Sequence, residues 1–318
     1  MLVALLAAVV IAAALIVESP WRADTHVSAP TVAADPAGSA SRSPDGGAAT
    51  DSSLPTAPAG LIINHGRRDL PMVALTFDSN LTASMISELD RHTVASFDNS
   101  AVIDELQSLD VPATFFLAGL WMERYPDEVR RLAADSRFEL ASHSYSHRAF
   151  VAHCFGLGVL PLDQMAADVT KSEQLLHDVT PAPTSYFRFP GTCASAAAVD
   201  AIRPTGVTII GYDVASGDAF GHSVAAIVKN VVDGAKDGSI VVLHITGGNT
   251  APLTAKALPA IVAGLRAKGF NLVRLSTLLA ACPAGGCPQE RIVPVANSGA
   301  RTRRSPGRTT RTTSRRSA

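Results

Sequence analysis

From residue 61 to about 281, short apolar runs alternate with segments of helical spacing, and this alternation limits the fold more than any other property of the chain. The runs at 72–77, 113–117, 138–141, 186–189, 207–212, 239–244 and 271–275 have the length and the apolar character of buried strands. Helical spacing separates them at 99–109, 127–134, 162–176, 196–202, 224–235 and 254–268; in the first of these, Val102, Ile103, Leu106 and Leu109 share one face. Strand–helix repeats of this kind predict a parallel α/β sheet or barrel. The polar residues that punctuate the pattern are read as strand ends: Asp78, Arg188, Asp213, Asp218 and His244. In α/β barrels the rim at those ends is where sites are built.

The flanks differ in kind. Residues 1–17 contain no charged or polar side chain and would span roughly 25 Å as a helix at about 1.5 Å per residue. We read 1–18 as a secretory signal or membrane anchor. Residues 19–60 are rich in Ala, Pro and Ser, lack apolar periodicity and predict a disordered linker. Residues 282–318 begin with a loop that Cys282 and Cys287 could close. From Arg291 onward they hold many arginines and no acidic residue, which predicts a basic disordered tail able to touch an anionic wall polymer. The 318-residue chain has a formal net charge of −1, so nothing in it as a whole attracts nucleic acid. These features together predict a secreted or membrane-anchored protein facing outside and associated with the cell wall. An exported chain permits disulfides. Its four cysteines allow three pairings, with two structural bridges expected.

His143 and His147 stand four residues apart, a spacing that would put both rings on one face of a helical turn and within reach of one metal ion. Two imidazoles can hold a divalent cation, zinc foremost, and leave positions open for water and substrate. A metal lowers the pKa of its water and polarises a carbonyl. Asp78 is placed to take the water's proton, His244 to protonate a leaving amine, Asp218 to keep His244 charged, and Arg188 to hold Asp78 ionised and oriented. Taken singly, each has a structural alternative: Asp78 a helix cap, Arg188 an ion-pair partner, His244 a satisfied core histidine. Asp213 is read as a turn or capping residue.

Five patches in order resemble the polysaccharide deacetylase family, the NodB homology domain of carbohydrate esterase family four. They are Thr76-Phe77-Asp78, His143-Ser144-Tyr145-Ser146-His147, Arg188-Phe189-Pro190, the loop from Asp213 to Asp218, and Val242-Leu243-His244. The resemblance covers roughly residues 71–279 and gives 61–281 as the deacetylase domain. It implies a distorted, incomplete (β/α) barrel that removes acetyl groups from sugars, acting on an N-acetylated glycan such as peptidoglycan or a chitin-like polymer. It makes Asp78 the base, Arg188 its orienting partner, His244 the acid tuned by Asp218, His143 and His147 metal ligands, and the backbone N–H of Gly191 an oxyanion donor. Two departures stand out. The family's second aspartate, a third metal ligand, is replaced by Ser79, which leaves the amide oxygen of Asn80 as a substitute ligand. The family's tryptophan after the fourth patch is replaced by Ala219-Phe220. Loss of the carboxylate also admits an alternative, a catalytically impaired, wall-associated glycan-binding protein on the same fold. Neither a His-Glu-x-x-His nor a Gly-x-Ser-x-Gly pattern occurs, which argues against a metallopeptidase or a serine hydrolase.

Overall fold

The computed structural model describes residues 61–291, apart from 181–182, 222 and 285. The expected leader, linker and basic tail lie outside these residues. Among the described residues no helix is long and apolar enough to cross a membrane.

Among the described residues ten strands follow in chain order: β1 (Leu61–Ile62), β2 (Met72–Asp78), β3 (Ala113–Leu117), β4 (Phe138–Ser142), β5 (Tyr186–Phe187), β6 (Thr208–Ile209), β7 (Val214–Ala215), β8 (Ser239–His244), β9 (Asn271–Leu272) and β10 (Glu290–Arg291). Eight of them form one parallel sheet in the order β6-β5-β4-β3-β2-β8-β7, with β9 against the start of β2. The sheet curls into a half-barrel, with helices packed on its outer face. β6 and β7 end the order without pairing to each other, so the barrel stays open. At the bottom, residues 61–65 cross the gap: Ile63 bridges Ile210 and His65 bridges Ser239.

The two-residue period of a strand explains which side chains enter the lumen. On β2, Val73, Leu75 and Phe77 join the outer core with Phe115, Leu140, Val241 and Leu243, which the helices cover. Their neighbours Ala74, Thr76 and Asp78 face inward, where Ala74 packs with Phe116, Ala141, Ile210 and Ile240. The lower lumen is closed by helix Leu275–Ala280. Leu275 N–H donates to Thr114 Oγ1 at 3.0 Å, and Ser276 N–H to Glu139 Oε1 at 2.8 Å. The upper lumen is lined by polar groups that face a cavity, Asp78, His143 and His244 among them.

Both expected bridges are present, Cys154–Cys193 with Cα atoms 6.0 Å apart and Cys282–Cys287 at 5.1 Å. Asp213 differs from its expected place. It precedes β7 and lies at the opposite end of the sheet, where its carboxylate accepts from Arg68 Nη2, Ser239 Oγ and Ile240 N–H, each at 2.8 Å. It fastens the start of β8 and is remote from the rim.

Candidate active site

The rim brings together residues from five segments. β2 ends in Asp78, and parallel pairing sets Asp78 beside His244 at the end of β8. Arg188 directly follows β5, and its guanidinium is fully buried across the lumen. Nη1 donates to Asp78 Oδ1 at 2.7 Å and Thr76 Oγ1 at 2.8 Å, and Nη2 to Gly211 O at 2.9 Å. The guanidinium carbon also lies 4.0 Å from the Phe116 ring centroid. An unpaired charge at this depth would cost several kcal/mol, so Asp78 and Arg188 are bound to one another's presence.

Asp218 is buried and fully engaged. Oδ1 accepts from His244 Nδ1 at 2.8 Å and Ser216 Oγ at 2.9 Å; Oδ2 accepts from His244 N–H at 2.8 Å and Thr254 Oγ1 at 2.7 Å. Nδ1 of His244 therefore carries a proton, and Nε2 is left for the cavity. Burial opposes charging of His244, but the Asp218 carboxylate, by charge and hydrogen bond, and Asp78 outweigh it and hold its pKa above the ordinary histidine value. Burial pushes the Asp218 pKa up, and its bonds to His244, Thr254 and Ser216 pull it below the usual carboxylate range.

The two histidines of the second patch are both buried, with ring centroids 5.0 Å apart. They do not lie on a helical turn. The chain leaves β4 into a loop in which Ser144 (φ 67°) and His147 (φ 51°) are left-handed, and this backbone brings the rings together. Asp168, on helix Met165–Val179, pins the loop: its Oδ1 accepts from Tyr145 N–H at 2.8 Å and from Ser146 N–H at 3.3 Å. Nothing in the sequence signals Asp168, since it acts on backbone more than twenty residues away. Thr246 and Thr254 are similar silent supports.

His143 Nδ1 donates to Arg188 O at 2.8 Å, so its Nε2 is unprotonated, and it faces Asp78 Oδ2 at 3.7 Å. Burial lowers the pKa of His143, against the pull of Asp78; burial, with the charges of His143 and His244, sets that of His147 well below the usual value. Both rings are thus neutral near pH 7, the state a metal requires. Asn80 N–H donates to Thr246 Oγ1 at 2.7 Å. Asn80 Oδ1 and His147 Nδ1 are buried without a hydrogen-bond partner. Such atoms are costly in a folded protein, and a cation would satisfy them. Among the described residues no group of three His, Cys, Asp or Glu side chains is gathered as a metal site, because the third donor available here is an amide. Ser79 does not stand in for the missing carboxylate: its Oγ accepts from Ala118 N–H at 2.9 Å, away from the cavity.

Asp78, Asn80, His143, His147, Gly191, Asp218 and His244 all line one cavity of about 290 Å³. Arg188 lies behind its wall. Gly191 has φ 63°, and a Cβ there would come within 2.6 Å of Cys154 Sγ, so the position requires glycine.

Residues 65–210 match the profile of the family described as polysaccharide deacetylase. That stretch of the chain is similar to a polysaccharide deacetylase domain of the NodB type. The chain is 26% identical over 177 residues to a peptidoglycan-N-acetylglucosamine deacetylase of Bacillus cereus, a match covering 56% of this chain and 62% of that one. The chain thus spans less than two thirds of that relative's length. A crystal structure of a peptidoglycan N-acetylglucosamine deacetylase superposes with a TM-score of 0.58 at 24% identity, covering 69% of this chain and 92% of that one. A CE4 family pseudoenzyme from Bacillus anthracis has the same fold, with a TM-score of 0.54, 20% identity and 68% of each chain covered.

Proposed function

We propose that this chain removes acetyl groups from an N-acetylated glycan of the peptidoglycan or chitin type. One observation carries the reading: a carboxylate held by Arg188 and an imidazole held by Asp218 face the same cavity as two neutral histidines.

In this reading the acetamide lies on the cavity floor. Asp78, oriented by Arg188, accepts the proton of the attacking water. Gly191 N–H donates to the carbonyl oxygen as the carbon becomes tetrahedral, a contact worth about 3 kcal/mol when well aimed. His244, charged beside Asp218, passes a proton from Nε2 to the departing nitrogen; Asp218 fixes the tautomer and stabilises the charge. A divalent cation, zinc foremost, would be held by His143, His147 and Asn80, where it supplies a Lewis acid for the carbonyl and acidifies the water. The neutral rings and the partnerless Asn80 oxygen support that donor set.

Export belongs to the same proposal, with 1–18 as leader or anchor and the basic tail against a wall polymer. Two disulfides, which persist in oxidising compartments, support it.

Acetate release from N-acetylglucosamine oligomers by the zinc-supplied full chain, with His143→Ala as control, tests the reading. Release no greater than the control overturns it. A chain that binds the glycan and releases nothing would be the impaired binding protein, the reading that the Ser79 side chain, turned toward Ala118, favours.

A further inference from the structure

The two most exposed large apolar side chains of the described residues, Phe220 at 68% and Phe155 at 66%, are not scattered: both line the catalytic cavity. They arrive on separate loops, Phe155 in the segment between β4 and β5 and Phe220 just after Asp218. Their rings meet with centroids 5.4 Å apart and planes at 33°. Phe155 follows Cys154, whose bridge to Cys193 ties this loop to the one carrying Gly191. Its backbone is left-handed (φ 46°), an uncommon state for a bulky residue. Its ring edge packs over Gly191, with Cδ2 3.0 Å from where a Cβ would stand. A covalent bridge and an unfavourable backbone state thus maintain an aromatic pair in water, where apolar area is costly.

We propose that Phe155 and Phe220 form a stacking platform for a pyranose ring next to the sugar whose acetamide occupies the floor. The proposal rests on the deacetylase reading and deepens it. The chemistry of the two levels separates the ligand's parts. The floor, with Asp78, His143, Asp218 and His244, suits the polar acetamide. The two exposed rings present faces and edges that match the C–H face of a saccharide. With the acetamide on the floor, the exposed rings are left for a neighbouring unit of an oligomer. The pair therefore selects for chain length, and Phe155 is a specificity-determining residue that no sequence pattern marks.

The test is calorimetric titration of the full chain with the N-acetylglucosamine tetramer and monomer under chelation, beside acetate release with zinc. Phe155→Ala and Phe220→Ala are each expected to weaken tetramer binding roughly three- to tenfold and leave monomer binding unchanged. Phe220→Trp, which keeps a ring, is expected to retain it. Unchanged tetramer affinity in both alanine variants, equal losses for monomer and tetramer, or no tetramer binding by the parent chain overturns the platform. Ring-dependent binding without acetate release overturns the deacetylase reading and leaves the platform standing. Acetate release with unaltered affinity in both variants does the reverse.

Discussion

His244 Nδ1 lies 2.8 Å from Asp218 Oδ1, and the same carboxylate receives the His244 backbone N–H on its other oxygen. One buried acid thus fixes both the ring and the main chain of the imidazole proposed to protonate the leaving group. The contact has a definite electrostatic sign. Burial alone would lower the His244 pKa, and Asp218 is the largest influence that raises it. A raised pKa stabilises the fold fully below the ordinary histidine value, and that contribution is lost as pH rises through the folded value.

Asp218→Asn should therefore move the alkaline limb of the kcat profile to lower pH, because burial then prevails. Rate loss near neutrality should approach the about 10²- to 10⁴-fold expected from removing a general acid. A limb that does not move would show that His244 is not the group being titrated.

The Asn80 amide oxygen makes a second prediction. Asn80→Ala should weaken zinc binding by at least about tenfold, and Asn80→Asp, which restores a negative ligand, should tighten it. Competition with a chromophoric chelator reads both without turnover. Equal affinities in all three proteins would remove Asn80 from the donor set.

Asp168 touches no reacting atom. It holds the left-handed loop between the two histidines through backbone N–H groups. Asp168→Ala should cost about tenfold in zinc affinity with the melting transition still cooperative. Asp168→Asn keeps an acceptor and should recover most of the loss, which a merely local stabilising role would not produce.

Glu173 lies on the same helix, and burial raises its carboxyl from 4.5 to about 7. The folded state then holds a proton that the unfolded chain has released, so stability falls as pH rises from about 4.5 to about 7 and is level above that. Glu173→Gln should flatten this slope and raise the melting temperature above pH 7. Parallel melting curves from pH 5 to 8 for both proteins would contradict the assignment.

Much of this architecture was legible where a run of apolar residues is cut off sharply. Strands 113–117 and 239–244 and helix 196–202 have the predicted bounds. Helices Ala83–Asp90 and Gly119–Arg124 were not visible, the first because Leu89 is its only buried residue and the second because six residues carry no period. β7 lies inside the loop that the sequence predicts from Asp213 to Asp218, because its two residues owe their pairing to β8 and to no pattern of their own. The rim residues could be found because parallel register places strand ends together. The loop carrying the histidines could not be drawn, since its shape depends on left-handed Ser144 and His147 and on Asp168 from a distant helix. Ser79 showed the loss of a carboxylate, and only the structure gives its hydroxyl to Ala118 N–H.

The bond between Cys154 and Cys193 also has a consequence for when the site is completed. Thiols stay reduced in the compartment where a chain is made. There the segment bearing Phe155 would be untethered and Gly191 would lack its sulfur backing. If the proposed function holds, the cleft would reach its finished shape only with this bridge closed, and a chemically reduced copy would be the poorer catalyst.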